Sequence, residues 1–67
     1  MLNHYTVTVA NLDHAVIAVE QDAPINPSHQ KHFPQYQIEA DIPQTAIDLV
    51  VALRASSGQP VENWVEF

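Results

Sequence analysis

The sequence predicts an α+β fold. It is a small single domain, residues 1–67, with a mostly antiparallel three- or four-stranded sheet and one helix packed across one face, in the order β-β-loop-β-α-β. Three observations predict it. Residues 43–57, PQTAIDLVVALRASS, carry a helical repeat with a start and a stop signal. Residues 36–42, YQIEADI, alternate apolar and polar side chains at period two, as a strand with one buried face does. A chain of 67 residues without cysteine has room for one core and no covalent staple.

The first strand is His4–Ala10, HYTVTVA, where Tyr5, Val7 and Val9 alternate with Thr6 and Thr8. Asn11, Leu12 and Asp13 carry turn formers. The second strand is His14–Glu20, HAVIAVE, apolar on both faces as a central strand is. Leu12, Ala15, Val16 and Val19 also match helical spacing. The compact, β-branched VIAV favours strand, and the two strands form a hairpin. Gln21 to Gln35 contains three prolines and several polar residues and reads as a long loop, with Ile25 and Phe33 as its anchors to the core. The third strand is Tyr36–Ile42.

The helix begins at Pro43, whose missing N–H suits a first helical position. Asp41 just upstream supplies an acceptor and a negative charge at the positive end of the dipole. Gly58 is the expected left-handed C-cap, and Pro60 prevents continuation. On a helical wheel Ala46, Leu49, Val50 and Leu53 form one stripe behind Ile42, and Ile47 and Val51 widen it to about 200°, more than a helix lying on one sheet needs. Arg54 lies inside this arc, its stem along apolar surface and its head reaching for an acid. Ile47, Val51 and Arg54 are therefore the expected self-association surface, unless loops cover that flank. The last strand is Val61–Phe67, VENWVEF, with Glu62, Trp64 and Glu66 on one face; a short helix would instead group Val61, Trp64 and Val65.

Eight acids against Lys31 and Arg54 give a formal net charge of −6. Nucleic-acid binding needs clustered cations that release counterions, and two do not suffice. An acidic surface favours basic protein partners, although charge alone also serves solubility. No apolar run approaches the roughly 20 residues that cross a bilayer, and MLNHYTVTV lacks a signal peptide's basic end and apolar core. The expectation is a soluble, cytoplasmic protein without membrane contact.

No enzyme is expected. There is no cysteine nucleophile, the serines form no nucleophile elbow, and one glycine makes no phosphate-cradling loop. No metal or other cofactor is expected either. His29 and His32 have a spacing that would meet one ion from a helical turn, but no further ligand is fixed beside them. His4 and His14 flank the first hairpin and would face each other across it.

With the third and fourth strands on one sheet, their outer faces bring together Glu39, Asp41, Glu62, Trp64 and Glu66. A tryptophan within a rim of charge is a partner-binding arrangement, although Trp64 is also the largest core residue available. The function expected is a non-catalytic acidic protein-binding module. A narrower form is an inhibitor that occupies the basic, nucleic-acid-binding cleft of a partner enzyme. The alternative is a structural or regulatory subunit associating through the helix flank.

Overall fold

The computed structural model describes residues 1–66, and for His29 the backbone only. The elements are β1 (Asn3–Ala10), β2 (Ala15–Gln21), a 3-10 turn (Pro27–His29), β3 (Gln35–Ala40), α1 (Pro43–Ser56) and β4 (Glu62–Asn63). The four strands form one sheet in the order β3-β1-β2-β4. β1 runs antiparallel to β2 and to β3, and β4 runs parallel to β2. The α+β class stands, and the sheet is mostly antiparallel as expected, made mixed by one short parallel pairing of β4 with β2.

The alternation of β1 makes the two layers. Tyr5, Val7 and Val9 point toward the helix and pack with Val16, Ala40, Ala46, Ile47 and Val50. Thr6 and Thr8 point to the other face. There the connection from β2 to β3 crosses over β1: the Thr6 hydroxyl donates to the carbonyl of Ala23, and the Gln35 side-chain amide donates to the Thr8 hydroxyl at 3.1 Å. The long loop is thus the cover of the outer face, and its Ile25 is half-buried there. Phe33 stays largely exposed.

The hairpin turn spans Asn11–His14, and His14 takes a φ of 51°, a left-handed conformation that histidine tolerates better than most residues. The register shifts between Thr8 and Val9, with Thr8 opposite Ala18 and Val9 opposite Val16, so Ile17 is the extra residue of a bulge. The bulge lets Val16 and Val19, three residues apart, both reach the core. That spacing is why this strand also matches a helical pattern.

α1 occupies Pro43–Ser56, one residue shorter than expected. Its N-cap is Ile42 and makes no side-chain cap bond; Asp41 Oδ1 instead accepts from the Ile42 N–H at 2.9 Å. Gly58 closes the helix at φ 74°, as expected. A Cβ there would meet nothing within 4 Å, so Gly58→Ala changes only the backbone term. We expect it to lower stability by about 1 kcal/mol, or roughly 4–8 °C in Tm, measured by thermal unfolding.

The helix is rotated from its expected setting. Ala46, Ile47, Val50 and Arg54 face the sheet, whereas Leu49 and Leu53 are 48% and 51% exposed and Ile42 is similarly open. Ile47 is wholly buried and Val51 half-buried against the core, so Ile47, Val51 and Arg54 are not a surface for self-association. The apolar flank left open is Ile42, Leu49 and Leu53.

β4 is shorter than the expected Val61–Phe67, and Phe67 lies outside the described residues. Beyond β4, the Val65 N–H is taken by the Asn63 Oδ1 at 2.9 Å. Val61 and Val65 still pack against the core from the inner face.

Candidate functional site

The sheet order decides which acids meet. β3 and β4 are opposite edges, three strand spacings or about 14 Å apart. Glu39 and Asp41 therefore sit on one side of the molecule, and Glu62, Trp64 and Glu66 on the other. All five side chains are exposed and the third and fourth strands do share one sheet, but β1 and β2 lie between them, so the expected acidic face is divided in two.

The β4 side is the more developed site. Backbone bonds to β2 and the turn before it hold it: Glu62 N–H donates to His14 O and Trp64 N–H to Val16 O, each at 2.9 Å. Val61 and Val65 pack against the core, while Glu62, Trp64 and Glu66 are exposed. Trp64 is 53% exposed, so it is a surface residue rather than the core residue its size allowed. Its indole N–H donates to Glu62 Oε2 at 3.2 Å, which holds the ring beside a carboxylate. The ring's apolar face and its charged neighbour are together the composition of an interface anchor.

Next to Glu62 lies an open cleft of about 550 Å³, lined by Asp13, His14, Gly58, Gln59, Pro60, Val61 and Glu62. Sequence reasoning missed it. Gly58-Gln59-Pro60 was legible as a helix stop, and Asp13 with His14 as a turn. Only the parallel pairing of β4 with β2 brings these two loops together. A second depression, about 310 Å³, lies over His4, Thr6 and Gln37 beneath Asp22, Ala23 and Pro24.

On the β3 side, Glu39 Oε1 lies 3.7 Å from His4 Nδ1, an exposed contact of small energetic weight. His4 and His14 do not face each other: His4 is at the start of β1 and His14 in the turn at its far end. The 3-10 turn ends at His29, so His29 and His32 do not share a helical turn. The side chain of His29 lies outside the described residues, and among the described residues no group of three or more potential ligands gathers.

Among the described residues Arg54 is the one charged side chain drawn inside, 6% exposed. It does not reach an acid. Nη1 donates to the Tyr36 hydroxyl at 3.0 Å and Nη2 to Asn11 Oδ1 at 3.2 Å, while Nε has no hydrogen-bond partner among the described residues. All eight carboxylates, by contrast, are exposed. The surface therefore displays eight negative charges and a single fixed positive one, Lys31.

No family model, curated protein or solved structure matches this chain. Among the described residues no helix is long and apolar enough to cross a membrane.

Proposed function

We propose that this chain is a non-catalytic acidic protein-binding module, and that its binding surface is the β4 side around Trp64, with Glu62 and Glu66. The observation that carries this reading is the exposed Trp64 ring, held by Glu62 on a surface where carboxylates outnumber exposed Lys and Arg eight to one. Tryptophan is enriched among the residues that carry binding energy, and burying its ring in a partner's apolar pocket is favourable. The carboxylates favour a basic partner surface and repel nucleic acid and anionic lipid. The partner is thus a protein with a cationic rim around an apolar pocket, met in the cytoplasm. An inhibitor standing in for nucleic acid in a basic cleft is the narrower form of the same chemistry. Glu39 and Asp41, on the opposite edge, belong to that contact only if the partner reaches across the sheet.

A second reading is a subunit of a larger assembly, and the exposed Leu49 and Leu53 favour it. Its surface is that flank and Ile42, in place of Ile47 and Val51.

The test is a pull-down from a lysate of the native host at low and moderate salt. It compares wild type with Trp64→Ala/Glu66→Lys and with Leu49→Asp. The β4 reading expects a basic protein retained by wild type and by Leu49→Asp, lost with the double variant, and weakened severalfold by salt. Retention by the double variant with loss on Leu49→Asp replaces it by the subunit reading.

A further inference from the structure

The two edges of the sheet are finished differently. β4 is blunted by the devices that keep strand edges from pairing. It has two residues, Pro60 precedes it, and the Val65 N–H is closed by Asn63. Pro34 likewise precedes β3 and the Gln35 N–H is closed by Gln30 Oε1, but β3 is three times as long. It runs six residues, QYQIEA, without proline, lysine or bulge.

The direction of its free groups follows from the ladder to β1. Val9 N–H donates to Pro34 O at 2.9 Å and Asn11 N–H to His32 O at 3.0 Å. Residues 34, 36, 38 and 40 therefore direct their backbone groups to β1, and Gln35, Gln37 and Glu39 direct theirs outward. The Gln35 N–H is already taken by Gln30 Oε1 at 3.3 Å, and the Asp41 carbonyl by the Asn3 side-chain amide at 3.3 Å. Gln37 and Glu39 are the residues whose outward N–H and C=O groups are both open. On the inner face of this strand Tyr36 and Ile38 are only half-buried, unlike Tyr5, Val7 and Val9 of the neighbouring β1.

We propose that the β3 edge pairs with β3 of a second copy of this chain, antiparallel and centred on Ile38, so that the two sheets become one of eight strands. The register follows from the edge itself. Centring on Ile38 places Gln37 of each copy opposite Glu39 of the other, and these two symmetry-related pairs use the open N–H and C=O groups and no others. On the outer face each Glu39 meets an amide rather than a carboxylate. On the inner face Ile38 meets Ile38 and Tyr36 meets Ala40, covering the two half-buried side chains. A register centred on Glu39 sets like charges opposite each other, and one centred on Gln37 requires the Gln35 N–H that Gln30 occupies. Parallel in-register pairing also stacks Glu39 on Glu39. The edge is self-complementary in one register, which is what a two-fold contact requires. A contact of five residues a side is short, so the expected dissociation constant is on the order of 10–100 µM. This association is independent of the partner-binding reading, because it uses the opposite edge and needs no other protein.

The experiment is sedimentation equilibrium of the purified chain from about 10 µM to about 1 mM, with amide hydrogen exchange at both ends of the range. Wild type is expected to dimerise, with the Gln37 and Glu39 amides gaining protection as concentration rises. Gln37→Lys places opposite charges across both pairs and is expected to tighten the dimer about threefold to thirtyfold. Gln37→Glu places like charges there and is expected to weaken it by a similar factor. Glu39→Pro removes an outward N–H that the monomer does not use, and is expected to leave a folded monomer. A chain that remains monomeric at about 1 mM overturns the proposal. So does a dimer indifferent to all three variants, or one lost on Leu49→Asp with the Gln37 and Glu39 amides unprotected.

Discussion

Ile47→Asp is expected to yield no folded protein: a disordered far-UV circular dichroism spectrum and no cooperative urea transition. Ile47 is wholly buried at the centre of the helix–sheet contact, packed in the cluster with Val7, Val9, Val16 and Val50. Truncating such a side chain to alanine costs about 2–5 kcal/mol through lost transfer energy and the cavity left behind. Aspartate adds an unpaired buried charge worth several kcal/mol more. A domain of this size has about 3–10 kcal/mol in all. Leu49→Asp, two positions on, puts the same charge on the exposed flank and is expected to change stability by about 0.5 kcal/mol. The contrast between the two measures the helix setting directly. A folded Ile47→Asp protein would mean that the core lies elsewhere. It also follows that Ile47→Asp cannot report on association, since it removes the monomer first.

The elements were legible in the sequence because their patterns are local. The alternation of Tyr5, Val7 and Val9, the alternation of Tyr36 and Ile38, the Pro43 start and the Gly58 stop all appear where expected. The grouping of Glu62, Trp64 and Glu66 on one face was legible for the same reason. What was not legible depends on neighbours far apart in the chain. Nothing in VENWVEF announces parallel pairing with β2, and that pairing sends β4 to the far edge from β3 and divides the acids. The helix was misjudged by a rotation. Leu49 and Leu53 outweigh an arginine on any apolar scale, yet the side that holds Arg54 is the buried one.

Arg54→Ala is expected to cost about 2–4 kcal/mol, and Arg54→Met to recover most of that loss, both read by urea unfolding at one pH and ionic strength. The stem and the head of Arg54 contribute in opposite ways. The stem fills space between α1 and the sheet as any long apolar side chain would, and alanine abandons that volume. The head is a desolvated charge whose partners are neutral, the Tyr36 hydroxyl and Asn11 Oδ1, with Nε unpartnered among the described residues. Two hydrogen bonds from a charged donor contribute about 1.5–3 kcal/mol each at best, and burying the guanidinium opposes them with a penalty of several kcal/mol. Methionine keeps the packing and removes both terms, so its net effect is small. If Arg54→Met is instead as damaging as Arg54→Ala, the bonds to β3 and to the β1–β2 turn outweigh the desolvation, and Arg54 is a clamp between helix and sheet rather than a spacer. Either way, the substitution leaves the exposed carboxylates in place. Arg54→Met should therefore bind a basic partner through the Trp64 side at least as well as wild type, because it only makes the net charge more negative.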